Sequence, residues 1–452
     1  MGRIRLSEHF TYKKLMQFVL PSIAMMVFVS IYGIVDGFFV SNYAGEIPFA
    51  ALNLIFPLIM ILGSVGFMLG TGGNAVVSKA LGEGDNERAN RIFSMLVYAT
   101  IVIGVGLAVL GISIARPVAK LFAATEEMMS AEEKAQLIDY CVIYVRIILC
   151  ALPAFMLQNA FQGFFVTAEK PRLGLYVTLT AGCSNMILDA LFVAVFNGGL
   201  VGAAIATGLS QCIGGILPLL YFARKNDSLL RLGKGPFNGK VFVSVCVNGM
   251  SELMANIALS VVAILYNAQL MIYVGLIGVN AYGIINYVGF IFVAVFIGYA
   301  VGTAPIVGYH YGADNREELN SVLKKSLIIT LLLGVAMMAV AIIFATPLSS
   351  IFTNGDEALL ALTVRGLRLY SLCFLLVGVN IFISSFFTAL SNGAISLLLS
   401  TVRTFLLPVI AVFVLPLWLE VDGIWLSIGI AEVLALFLSF AMLFWKRKRY
   451  GY

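Results

Sequence analysis

The chain has 452 residues, 61% of them hydrophobic and 11% charged, with a formal net charge of +5. A mean hydropathy of +1.00 excludes a water-soluble domain of this length, which would carry roughly 25% charged residues. The modest positive charge is explained below by its distribution along the chain and is no footprint for nucleic acid.

A helix crossing about 30 Å of hydrocarbon needs roughly 20 apolar residues. In chain order, twelve such spans are predicted, at about 15–41, 50–78, 91–115, 137–166, 172–196, 199–223, 241–267, 278–309, 322–346, 363–388, 394–419 and 423–445. The first is too long for a signal-peptide apolar region and has no small-residue cleavage site after it, so it is expected to remain as a span. Short alternating strands, the mark of a membrane β-barrel, do not occur. The gaps are short loops, which leaves no room for a soluble domain. The expected class is therefore an all-α integral membrane protein.

An even number of spans places both termini on one side. That side would hold most of the basic residues: Arg3, Arg5, Lys13 and Lys14, then Lys79, Arg88 and Arg91, Lys170 and Arg172, and Arg224, Lys225, Arg231, Lys234 and Lys240. Arg316, Lys324, Lys325 and the Lys446–Arg449 tail complete the set. The opposite loops carry Glu126, Glu127, Glu132, Glu133, Asp356, Glu357, Glu420 and Asp422. The positive-inside rule then puts both termini in the cytoplasm, and the expected location is the plasma membrane. Trp418, Trp425 and Trp445 fall near span ends, as an interfacial aromatic belt would require.

Asp36 and Asp189 interrupt two of the apolar spans. A carboxylate at mid-bilayer costs roughly 2.5–3.5 kcal/mol even on the mildest scale, so such residues mark ion, proton or substrate paths. Each has a polar companion four residues earlier on the same helix face, Tyr32 and Asn185 respectively. Two nearby carboxylates cannot easily both ionise in low dielectric, and binding H⁺ or Na⁺ would relieve the repulsion. Pro21 removes one helical hydrogen bond from the first span and offers a place for it to bend. Glu252, Arg403 and Glu432 are further buried charges, the last two expected to pair with each other or with another buried group. Arg146, Arg365 and Arg368 are expected to snorkel from span ends.

Several other features carry no chemistry. The six cysteines, Cys141, Cys150, Cys183, Cys212, Cys246 and Cys373, lie scattered in apolar segments and read as small core residues. His9 and His310 are lone histidines without ligand spacing. No P-loop string is present, so ATP is not the evident energy source, and no interfacial catalytic cluster suggests an enzyme.

The chain also repeats itself. GEGDNERAN (82–90) resembles GADNREELN (312–320), and each follows a span with a Gly-Thr pair, Gly70-Thr71 and Gly302-Thr303. YVRIILCALPAFMLQNAFQGFF (144–165) aligns with GLRLYSLCFLLVGVNIFISSFF (366–387), matching Arg146 with Arg368. Six spans per half make these parallel repeats, two bundles around a central cavity that rock to give alternating access. The expected division is an amino lobe at 1–223, a basic cytoplasmic linker at 224–240 and a carboxyl lobe at 241–452.

With these residues in place, the chain resembles the multidrug and toxic compound extrusion (MATE) family. VNGMSEL (247–253) and PIVGYHYGADNREELN (305–320) bring it nearest the DinF-like branch. The resemblance implies an amino-lobe site made of Asp36, Asn185 and Asp189, a bend at Pro21, and Thr207 as a further ligand where the ion is Na⁺. Tyr32, Tyr144 and Asn159 match positions that complete its hydrogen-bond network. It further implies Glu252 as a substrate or second proton site, although the counterpart region near Asn380 offers no acid. Met25, Met26, Met60, Met68, Phe67, Tyr282, Tyr287 and Phe290 would suit an adaptable cavity for flat organic cations.

The function so implied is a secondary antiporter exporting drug-like or toxic organic compounds in exchange for H⁺ or Na⁺. It would act as a monomer in lipid and without a cofactor. The alternative is a flippase for a lipid-linked saccharide or another amphipathic metabolite.

Overall fold

The structure is a computed structural model that describes residues 4–124, 130–353 and 355–452, apart from the Glu46 side chain. Arg3, Glu126 and Glu127 therefore lie outside the described residues. The long helices are α1 (Tyr12–Tyr43), α2 (Glu46–Gly82), α3 (Asn86–Ala123), α4 (Ala131–Cys150), α5 (Leu152–Thr167), α6 (Pro171–Asp189), α7 (Gly199–Ala223) and α8 (Gly239–Tyr273). They continue with α9 (Leu276–Gly312), α10 (Arg316–Ile343), the short α11 (Ala345–Ser350), α12 (Glu357–Tyr370), α13 (Phe374–Ala389), α14 (Gly393–Thr401), α15 (Leu407–Val414) and α16 (Pro416–Tyr450). Among the described residues, eleven helical stretches are long and apolar enough to cross a membrane, or twelve with α4 and α5 taken as one bent span. The protein is an all-α, multi-pass membrane protein.

The departures from the predicted spans have local causes. The span expected at 137–166 is broken at Ala151, with α4 and α5 bent by 54°. Pro153 sits in the first turn of α5, where its missing N–H costs nothing and a fresh helix starts readily. Pro416 likewise ends the eleventh span at Val414, earlier than expected, and begins α16. Glu420 then turns the chain at φ 50. Trp425, expected in an aromatic belt, is only 1% exposed and packs in the core beside Ile285 and Leu367, whereas Trp418 and Trp445 face outward at 77% and 68%. Arg365 does not snorkel alone: it holds Asp422 through two bonds of 2.9 and 2.5 Å.

The sequence repeat is reproduced in backbone geometry. Gly84 (φ 80) precedes the N-cap Asp85 of α3, which accepts from the Arg88 N–H at 2.9 Å. Asp314 (φ 52) precedes the N-cap Asn315 of α10, which accepts from the Glu318 N–H at 3.0 Å. The turns after α5 and α13 match as well: Glu169 and Ser391 have φ of 58 and 57, and the Lys170 and Asn392 amides bond back to Phe165 O and Phe387 O. The break at Ala151 has its counterpart in the 3₁₀ turn Ser371–Cys373.

The chain forms two compact units, Phe28–Val77 with Asp85–Gly249, and Met1–Val27 with Ser78–Gly84 and Met250–Tyr452. Helices α1, α2 and α8 each pass from one unit into the other. In the first unit, Phe93 packs its ring edge-on against Phe164 and Phe222, with centroids 5.0 Å apart in both pairs. There too the segment after α7 folds back on α3: Arg231 N donates to Asn90 Oδ1 at 2.6 Å and Gly233 N to Ser94 Oγ at 2.9 Å. In the second unit, the segment before α1 is strapped down. Phe10 N donates to Glu318 Oε1 at 2.8 Å and Lys325 Nζ to Phe10 O at 2.5 Å. His9, a lone histidine by sequence, meets Glu318 Oε2 through Nδ1 at 2.5 Å.

Candidate functional site

Four helical elements of one unit bring the predicted residues together. The second half of α1 carries Tyr32 and Asp36, the end of α6 carries Asn185 and Asp189, α7 carries Thr207, and α4 carries Tyr144. Thr207 Oγ1 donates to Asp36 Oδ1 at 3.3 Å, and Asn185 Nδ2 reaches Thr207 Oγ1 at 3.4 Å. The carboxyl groups of Asp36 and Asp189 face each other closely enough to share a proton. Tyr144 is buried beside both acids, and Tyr32 lies beside Asp36.

The site is short of donors. Asp189 is 0% exposed, and neither of its carboxyl oxygens accepts a hydrogen bond from any donor among the described residues. The Asn185 Oδ1 is buried and equally unpaired. A buried polar atom left unmatched costs about 1–3 kcal/mol, more when charged. Such a cluster of unmet oxygens is therefore a place where a proton or a hard cation would be held, since carboxylate, amide carbonyl and hydroxyl oxygens suit such ions.

Local sequence explains the geometry. The helix leaving Asp189 continues as a π-helical stretch, Ala190–Val195, an irregularity often found at functional sites because it re-aims side chains. Gly182 lets α1 come close: a Cβ there would stand 2.5 Å from Phe28 Cε1 and 2.8 Å from Tyr32 Cδ1. Pro21 lies some four helical turns before Asp36, and α1 runs unbroken through it. There Gly298 of α9 allows close approach, since a Cβ would sit 2.5 Å from Ile23 Cα.

Two predicted members stand apart. Asn159 is buried on α5 with its Nδ2 unpaired and joins none of these bonds. Glu252 belongs to the other unit, where the Arg403 charge acts on it. One participant escaped the sequence reading. Gln158, 6% exposed, bonds the Tyr32 hydroxyl and leaves its own Oε1 unpaired. The signal was present, because Gln158-Asn159 is a polar pair inside an apolar helix. Of the residues expected to line a cavity, Met25, Met26, Met68 and Tyr282 are buried, the last stacked on Tyr266 at 5.2 Å.

The second unit has a different polar core. Arg403 Nη1 meets Glu432 Oε1 at 3.0 Å, as the sequence led us to expect. Asn380 Nδ2 donates to Glu432 Oε2 at 2.7 Å, and Ser439 Oγ donates to Asn380 Oδ1 at 3.0 Å. Here the buried carboxylate has a permanent cation and an amide donor.

The MatE family model matches two stretches of the chain, residues 21–191 and 253–414. The chain belongs to the MATE family. This MATE protein is 23% identical over 444 residues to the multidrug export protein MepA of Staphylococcus haemolyticus, covering 98% of this chain and 95% of that one. Its fold matches a MATE protein solved in complex with MaL6, with a TM-score of 0.90, 20% identity and coverage of 99% and 97%. It also matches an outward-facing multidrug-resistance MATE transporter of the MOP superfamily at a TM-score of 0.89, with 20% identity and the same coverage. A MATE protein is a membrane transporter, not an enzyme.

Proposed function

We propose that this protein exports drug-like or toxic organic compounds, cationic or amphipathic, in exchange for H⁺ or Na⁺. The full-length likeness to MepA, a multidrug export protein, supports the cargo class. One observation carries the coupling: Asp189 is wholly buried against Asp36 with both oxygens unmet. Two carboxylates without a resident cation repel each other when both are ionised. A proton shared between them, or Na⁺ held by Asp36, Asp189, Asn185 and Thr207, removes that repulsion and draws α1 towards α6 and α7. Release of the ion frees α1, with Pro21 as the point where it yields and Tyr32 and Gln158 moving with it. Asn159 acts on the cargo side of α5, and Glu252 attracts cationic cargo in the other unit. The lobes divide at the 224–240 linker, the protein works as a monomer, and both termini face the cytoplasm of a plasma membrane.

The test is reconstitution in vesicles with ΔpH or ΔNa⁺ imposed separately while efflux of a fluorescent organic cation is followed. One gradient should drive export in the intact protein and neither should do so in Asp36→Asn. Movement of a lipid-linked saccharide with no response to either gradient would replace this reading with that of a flippase.

A further inference from the structure

We propose that the fold-back of the 224–231 segment against the end of α7 forms a binding site for one anionic membrane lipid. A recess of about 810 Å³ opens there, lined by Leu217, Leu220, Tyr221, Arg224, Lys225 and Arg231, together with Asn226 and Asp227. Its two ends have different chemistry. Leu217 and Leu220 are 41% and 46% exposed on a membrane-spanning helix, so they face acyl chains. Spaced i, i+3, with Tyr221 and Arg224 following at i+4 and i+7, they form one continuous stripe ending in a cation.

The basic end is free to receive an anion. The carbonyls closing α7, which would otherwise present the negative end of the helix, are taken up internally. Tyr221 O accepts from Asn226 Nδ2 at 3.2 Å and Phe222 O from Leu232 N at 2.8 Å. The one acid of the recess, Asp227, is bound by Lys170 Nζ at 2.6 Å. Arg231 is fixed through its backbone to Asn90 and through Nη2 to Asn226 O at 2.8 Å, which orients its guanidinium. Arg224 and Lys225 are exposed and make no ion pair among the described residues. A phosphate at this level meets two unpaired cations beside a third, while its acyl chains lie along the leucine stripe. A basic pocket at a helix end on the positive side of a membrane protein suits an acidic headgroup. Because the segment is bonded to α3, bound lipid would brace the unit that carries Asp36 and Asp189.

The experiment uses the full chain in detergent, with retention of phosphatidylglycerol against phosphatidylcholine read by native mass spectrometry. The protein should hold one phosphatidylglycerol in preference. In R224Q/K225Q that preference should fall on the order of thirtyfold, at about 1 kcal/mol per cation. In K13Q/K448Q, which removes equal charge from the same side, it should persist. Equal loss in both variants would reduce the effect to general charge and overturn the site. Displacement of the lipid by millimolar inorganic phosphate would overturn it in favour of a free-anion pocket.

Discussion

Asp189 in one half and Glu432 in the other are both buried carboxylates, 0% and 4% exposed, yet they are provided for in opposite ways. Glu432 has a guanidinium at 3.0 Å and an amide at 2.7 Å, and that amide is itself held by Ser439. Asp189 has another acid for a neighbour and no donor among the described residues. A buried ion pair that carries its own counter-charge is complete and has no need of an ion from outside. On the function proposed above, a buried acid pair without one is incomplete until a mobile cation arrives. The two halves share turn geometry down to the left-handed residues at 84 and 314 and at 169 and 391. The two halves thus share their turn scaffold while their buried carboxylates, at positions the repeat does not align, are provided for differently.

The largest expected effects test this contrast directly. Asp36→Asn should abolish gradient-driven export, on the order of a hundredfold or more, because one neutral amide ends the repulsion that an ion relieves. Its thermal midpoint should stay level or rise, since an amide N–H can satisfy an Asp189 oxygen. A lowered midpoint with export intact would make the pair structural. Arg403→Met should behave in the reverse manner. It strands Glu432 and should lower stability by about 3–5 kcal/mol, while R403M/E432L should recover most of that loss. A stable double variant that no longer transports would show that the second cluster is functional too.

The sequence displayed what physics makes costly or periodic. Twelve apolar stretches, repeated charged turns and carboxylates in lipid are visible because each is an exception to a simple pattern. The elements that stayed hidden depend on which apolar face meets protein and which meets lipid, and hydropathy is blind to that difference because both are apolar. Trp425 in the core and the stacking of Tyr282 on Tyr266 are of this kind. The π-helical turn after Asp189 was hidden for a different reason, since Ala, Leu, Phe and Val fit straight helices equally well, whereas the bend at Ala151 was signalled by Pro153. Asn159 is buried beside Gln158, which contacts Tyr32, and matching by position alone did not single out Gln158.

A middle-sized effect sharpens the role of α1. Gly182→Ala would place a methyl group within 2.8 Å of the Tyr32 ring, and overpacking of this kind costs about 1–3 kcal/mol. Displacing Tyr32 from Asp36 should lower the export rate several-fold while substrate affinity holds. Loss of affinity without loss of rate would move Tyr32 from the coupling site to the cargo path.

The smallest effect is the most selective. Thr207→Val keeps the shape of the side chain and deletes a single hydroxyl, which donates to Asp36 and receives Asn185. A neutral hydrogen bond contributes about 1 kcal/mol, so apparent affinity for the coupling ion should change about fivefold with the maximal rate unchanged. The direction of the change separates the two ions. If Na⁺ is the driver, the hydroxyl oxygen is one of four ligands and the Na⁺ dependence of export shifts to higher concentration. If H⁺ is the driver, the lost donor makes ionised Asp36 costlier, so the proton is held more tightly and the pH profile of export moves upward. An unchanged dependence on both ions would remove Thr207 from the site and leave the two acids to act alone.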